Sequence, residues 1–334
     1  MHVVNKKLGN VLKYALSLVL AGVLVYFACR GVDWKVFMDG LRATNWFWIA
    51  CFFAASYCAL IFRAMRWKQL LRPLDPDIHY GRVWDATNIG ALCSIAIPTS
   101  GEFLRCALLT SPRLPFKKVF GTILMERAWD IAVVLVIFFA ALFLGWGRFG
   151  GFFIDNIWHP ITSKAFFLWI ILAVVLMVAA FFVALSKLKD RNPFFAKAHE
   201  TIRGFLEGFA TFARIRNKLP FLLNTVGVWA MYYLMTFFVL KAIPDLSHLN
   251  AGDGLFVASI GNIGSAVPVP GGIGAYHYLL RSTLSVLYGA SNEIGLLFAT
   301  LSHELHAVLV IVLGAWSYIM RIVILKNGNA KRNN

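Results

Sequence analysis

The chain has 334 residues, of which 59% are hydrophobic and only 14% charged, whereas a soluble domain carries roughly 25% charge. That composition excludes a soluble enzyme and leaves no gap between apolar stretches wide enough for a soluble catalytic domain. The formal charge is +16, from 32 Lys and Arg against 16 Asp and Glu; in so apolar a chain it reads as positive loops facing anionic lipid heads, not as a nucleic-acid surface.

The apolar stretch 10–29 opens the chain. No small-x-small cleavage site follows it, because Tyr26 stands before Phe27-Ala28, so it reads as an uncleaved first span. A second span is predicted at 46–64, followed by a basic loop with Arg63, Arg66, Lys68, Arg72 and Arg82. The next apolar segment, 83–97, is too short to cross the hydrocarbon core, which takes ~20 residues. It breaks in the run Ile97-Pro98-Thr99-Ser100-Gly101, and a short helix is predicted over 101–111. Full spans follow at 119–145 and 165–186. The linker 187–219 places Phe194, Phe195, Phe205, Phe209 and Phe212 among basic residues at partly helical spacing. It is read either as an amphipathic helix on the inner leaflet or as a helical hairpin packed on the bundle. A span at 220–240 leads to a second interrupted segment, 253–267, then a helix over 272–288 and a last span at 294–320.

The two interrupted segments resemble each other. Asn88-Ile89-Gly90 precedes the first break, and Asn262-Ile263-Gly264 precedes Pro268-Val269-Pro270-Gly271-Gly272-Ile273-Gly274. A long apolar segment with one early glutamate follows each, Glu126 about 38 residues after Asn88 and Glu304 about 42 after Asn262. The expected fold is an all-α polytopic membrane protein with about six full spans and two re-entrant or broken helical hairpins arranged as an inverted repeat. It forms one membrane domain over 1–334: first spans and basic loop at 10–82, repeat 1 at 83–145, linking spans at 146–252, and repeat 2 at 253–320. Basic residues crowd the segment before residue 14, the loops after spans two and four, and the tail, which places both termini in the cytoplasm. The first broken segment then enters from inside and the second from outside.

Ionisable groups in hydrocarbon are costly and are functional candidates by default. Glu102 and Arg105 are three apart on one helix face. Glu126, Arg127 and Asp130 open the 119–145 span. Tyr276, His277 and Arg281 follow the second break, and His303, Glu304 and His306 lie in the last span. Helix starts at Gly101 and Gly271 offer free amides to an anion, the break at Pro270 and the glycine pair Gly271-Gly272 let a headgroup come close to the backbone, and Arg105 and Arg127 are further donors. The carboxylates Glu102, Glu126 and Glu304 either balance these arginines or carry a proton, and with Arg105 and Arg127 they are expected to converge on one cavity, joined by Tyr276 or His277; structural pairing alone is the simpler alternative. His303-Glu304-Leu305-His306 lacks the His-Glu-x-x-His spacing of a zinc helix, so no metal is expected. Gly271-Gly272-Ile273-Gly274 lacks the Lys-Ser/Thr of a phosphate loop, so no nucleotide or other cofactor is expected. The five cysteines form no Cys-x-x-Cys pair and read as small apolar residues.

At Pro98-Thr99-Ser100-Gly101-Glu102-Phe103-Leu104-Arg105, at Glu126-Arg127 with Asp130, and at Pro268-Val269-Pro270-Gly271-Gly272-Ile273-Gly274, the chain resembles the lysylphosphatidylglycerol-synthase transmembrane-domain family of flippase-like proteins. The resemblance covers roughly 10–320. It departs at His277, where the family often has glutamate. It implies movement of a lipid (a phospholipid, an aminoacylated phospholipid or a polyprenyl-linked glycolipid) between leaflets of the bacterial inner membrane. The soluble synthase domain of some relatives has no counterpart here, so the expectation is transport and not synthesis. A cytoplasmic lipid-synthesising enzyme is a possible partner, and nucleic acid is not. The alternative reading is a membrane-embedded transferase or accessory subunit acting on a lipid-linked substrate.

Overall fold

The computed structural model describes residues 19, 22–97, 100–154, 169, 172, 176–177, 210–265 and 273–330. Every regular element among them is helical. After the helical stretch 22–29, α1 (Trp34–Ala43) starts at Asp33, whose carboxylate accepts the amides of Lys35 and Val36 at 2.8 and 3.4 Å. Asn45 caps α2 (Trp46–Leu71) in the same way through the Phe47 amide, satisfying amides that a helix start leaves unpaired. α3 (Tyr80–Ala96), α4 (Ser100–Leu109), α5 (Phe116–Leu144) and α6 (Trp146–Phe153) follow. Beyond the one-turn α7 (Thr211–Arg214) comes α8 (Leu219–Ala242), with Pro220 in its first turn, where no amide is needed. α9 (Ala251–Ser265) opens on a reciprocal cap in which Asn250 and Asp253 each accept the other's amide, at 3.0 and 3.1 Å. α10 (Ala275–Tyr288) ends at Gly289, whose φ of 66° is the left-handed conformation that glycine adopts freely. α11 (Asn292–Ala330) is the longest, at 39 residues.

Among the described residues three helices are long and apolar enough to cross a membrane: α2, α8 and the Asn292–Val323 part of α11. They answer to the spans predicted at 46–64, 220–240 and 294–320. α5 answers to 119–145; its 29 residues measure about 44 Å at ~1.5 Å each. Its second half carries no charge and exposes Ile131, Leu135, Val136, Phe139 and Phe143. An apolar exterior of this kind suits contact with lipid or with a further apolar helix. The predicted span 10–29 is described only toward its end, and most of 165–186 and 187–209 lies outside the described residues. Of the linker phenylalanines Phe212 alone is described, and its ring packs 5.0 Å from Trp129 and 5.1 Å from Phe221, on the bundle.

α2 differs from expectation in a way that matters for the site. It runs to Leu71, not 64, so Arg63, Arg66 and Lys68 are helical residues and not loop residues. Arg66 is 1% exposed.

The two interrupted segments each form a pair of short helices, α3 with α4 and α9 with α10, and the members of each pair pack together. The first helix ends where Ile97 turns extended (φ −132°, ψ 112°). Residues 98–99 and 266–272, with Pro98, Pro268, Pro270, Gly271 and Gly272, lie outside the described residues. Arg113, just after α4, pairs with Asp75 and Asp77, just before α3, at 3.7 and 3.1 Å. Arg321 of α11 donates to the Leu108 carbonyl at the same end. At the opposite end, the Tyr233 hydroxyl, from the second half of α8, donates to the Ala251 carbonyl, and the Asn45 amide donates to the Ala242 carbonyl. There too, Arg281 of α10 joins Asn292 to the carbonyls of Phe27, Ala28 and Arg30. The first pair therefore begins and ends at one end of the bundle, and the second at the other.

Packing between the halves is reciprocal. α3 lies on α11, the helix that follows the second pair, and α9 lies on α5, the helix that follows the first. Within each pair the contact falls on the corresponding glycine. A Cβ on Gly90 would stand 2.8 Å from the Gly101 carbonyl oxygen, and one on Gly264 would stand 3.0 Å from Tyr276 Cα. Small residues let membrane helices approach this closely, where van der Waals contact holds them together.

Candidate functional site

Three helices bring seven charged side chains together. α2 supplies Arg63 and Arg66, one turn apart. α4 supplies Glu102 and Arg105, also one turn apart. α5 supplies Glu126, Arg127 and Asp130. Glu126 is the hub and is 0% exposed. Its Oε2 accepts Arg105 at 2.9 Å, and its Oε1 accepts Arg127, Arg66 and Arg63 at 3.1, 3.3 and 3.4 Å. Arg66 also reaches Asp130 at 2.7 Å, and Arg105 reaches Glu102 at 3.0 Å. Arg127 completes the set, 3.7 Å from Glu102 and 3.5 Å from Asp130.

The arrangement has a closed floor and an open rim. Arg66, Arg105 and Glu126 are buried, whereas the side chains of Arg127 and Glu102 are 41% and 24% exposed. Beneath Arg105 lies Trp67, fully buried, with the guanidinium carbon 4.1 Å from the ring centroid. The ring's negative face favours that cation. Trp67 is held in turn by its indole N–H donating to Thr122 at 3.0 Å. Gly90 leaves the space that the Arg105 stem crosses, since a Cβ there would collide with Arg105 Cγ. Gly101 is buried against Gly90 and Ser94; its missing side chain lets α3 and α4 touch.

Among the described residues four guanidinium groups face three carboxylates, a formal excess of one positive charge. The Nε groups of Arg66, Arg105 and Arg127 are buried without a hydrogen-bond partner. Guanidinium donors in this state suit a phosphate or carboxylate ligand, which takes two parallel N–H bonds.

Tyr276, His277, His303 and Glu304 form a second group, whereas His306 of α11 is hydrogen-bonded to Ser56 of α2 at 2.7 Å. His277 of α10 lies 3.6 Å from Glu304 of α11, and His303 lies 3.0 Å from the same oxygen. The Tyr276 hydroxyl pairs with Ser302 at 3.0 Å. The sequence reading expected Glu102, Arg105, Glu126, Arg127 and Glu304 to converge on one cavity, joined by Tyr276 or His277. The structure shows a division: no ion pair or hydrogen bond joins the two groups among the described residues. His277 and Glu304 line an apolar pocket of about 250 Å³ that none of Glu102, Arg105, Glu126 and Arg127 lines. α4 packs on α5 and α5 on α2, whereas α10 packs on α9 and α11; α11 itself also meets α2. Arg281, another sequence candidate, closes the carbonyl end of the 22–29 stretch, a structural task.

Sequence reasoning missed Arg63, Arg66 and Trp67. The i, i+3 spacing of the two arginines inside an apolar run was the available signal.

Long apolar helices, two pairs of short helices at opposite ends and a buried ionic network define a helical membrane protein. The chain belongs to the family described as the lysylphosphatidylglycerol synthase TM region, whose model matches residues 14–314. No curated protein and no solved structure matches it significantly.

Proposed function

We propose that the chain carries a lipid with an anionic headgroup between leaflets of the bacterial inner membrane, as a transporter and not an enzyme. The observation that carries this reading is the Glu126 network: four arginines around three carboxylates, one positive charge in excess, open on the Arg127 side. The headgroup phosphate takes the Arg127 and Arg63 donors at the rim and displaces Glu102, and the acyl or prenyl chains stay in the bilayer. An arginine cluster with an ionic floor tolerates the anion-free state because its charges are already paired. The opposed helix pairs are the halves of an inverted repeat, which exposes the headgroup site to each leaflet in turn. The Arg113 end faces the cytoplasm with both termini, and a cytoplasmic lipid-synthesising enzyme supplies the substrate.

Mass spectrometry of lipid retained by the detergent-purified chain tests this. Acidic lipid should be enriched over its share of the membrane, and Arg127→Ala should lose that enrichment while Lys68→Ala keeps it. Zwitterionic lipid alone, or equal retention by Arg127→Ala, would overturn the reading.

A further inference from the structure

The second polar group contains a ligand set that the lipid site does not use. His277 projects from α10, and His303 and Glu304 from α11; one ligand atom from each lies within 4.8 Å of the other two. The two measured edges are 3.6 Å, from His277 Nε2 to Glu304 Oε1, and 3.0 Å, from His303 Nδ1 to the same oxygen. A tetrahedral ion with bonds of ~2.0–2.1 Å separates its ligand atoms by about 3.3 Å. Both edges straddle that value, so small side-chain adjustments close the triangle around an ion.

From this geometry we infer that His277, His303 and Glu304 bind one divalent transition cation of the zinc class, pinning α10 to α11. Two imidazoles and one carboxylate form a set that zinc accepts while keeping a fourth position. That position has room, because the pocket of about 250 Å³ borders His277 and Glu304. The backbone registers the ligands in advance. Tyr276 and Ser302, each one residue before a histidine ligand, are hydrogen-bonded across the same two helices at 3.0 Å. Gly274 caps the start of α10 with φ 89°, and a Cβ there would stand 2.7 Å from Leu24 Cβ and 2.8 Å from the Val25 nitrogen, which leaves no space for a side chain. Among the described residues Glu304 has no lysine or arginine partner; both its ion-pair partners are the histidines. The sequence reading excluded a His-Glu-x-x-His helix, and this set differs from it because one histidine comes from the neighbouring helix.

The test uses the full chain in detergent without a polyhistidine tag, stripped with chelator and titrated with Co²⁺, an optical substitute for zinc. About one equivalent should bind with the intense visible bands of tetrahedral cobalt, and Zn²⁺ should abolish them. His277→Ala, His303→Ala and the conservative Glu304→Gln should each weaken binding at least about tenfold, whereas His248→Ala on the exposed loop should not. Thermal unfolding without metal verifies that each variant is folded, and Zn²⁺ should raise the midpoint of the wild type and of His248→Ala but not of the three ligand variants. Uptake of no more Co²⁺ by the wild type than by the folded Glu304→Gln variant would overturn the proposal. So would equal loss in His248→Ala.

Discussion

Glu126 is a carboxylate without access to solvent, in contact with four guanidinium groups. Its neutralisation leaves those arginines with only Glu102 and Asp130. Breaking a buried ionic cluster by removing one partner costs about 3–5 kcal/mol. Glu126→Gln, which keeps the shape, is therefore expected to lower stability in detergent by that order, as read by denaturant or thermal unfolding. Lys68→Ala, on the same helix as Arg66 but outside the network, should stay within about 0.5 kcal/mol. The acidic members, Arg105 and Arg127 were legible because each stands beside an apolar run or a break. Arg63 and Arg66 were not. A count of basic residues assigns arginines at a span's end to a loop, and only the fold reveals carboxylates some 60 residues later in the chain at 2.7 and 3.3 Å.

At the scale of elements, the paired short helices were legible almost to their ends. The expected 83–97 and 253–267 became Tyr80–Ala96 and Ala251–Ser265, and 101–111 and 272–288 became Ser100–Leu109 and Ala275–Tyr288. Proline and glycine mark those limits by local chemistry alone, whereas the pairing of α3 with α11 and of α9 with α5 is long-range and has no local signal. The glycine contacts make a sharp prediction. Gly90→Val should drive α3 away from α4 and destabilise the protein by about 1–3 kcal/mol, the usual cost of overpacking. Gly81→Ala, on the same helix with nothing within 4 Å of its added Cβ, should be tolerated. Side-by-side unfolding of the two variants checks this. The opposed polarity is testable with single cysteines in a background lacking the native five. A label at Asp77 should react from the cytoplasm and one at Ser247 from outside; reaction of both from one compartment would contradict the inverted arrangement.

For the whole molecule, the halves exchange partners: each short-helix pair leans on the long helix that follows the other. Rocking of one half against the other would then move the α2–α4–α5 arginine cluster relative to α9 and α10, as alternating exposure requires. The central claim is that this cluster moves an anionic lipid. Its most direct measurement is the rate at which labelled lipids change leaflet in liposomes containing the purified chain, with a proton or ion gradient supplied. The expected result is acceleration of acidic lipid well above protein-free vesicles, little effect on zwitterionic lipid, and loss of the acceleration in folded Arg63→Ala/Arg127→Ala protein. An acidic lipid that crosses no faster than in empty vesicles, or as fast with the double variant as with the wild type, would contradict the account.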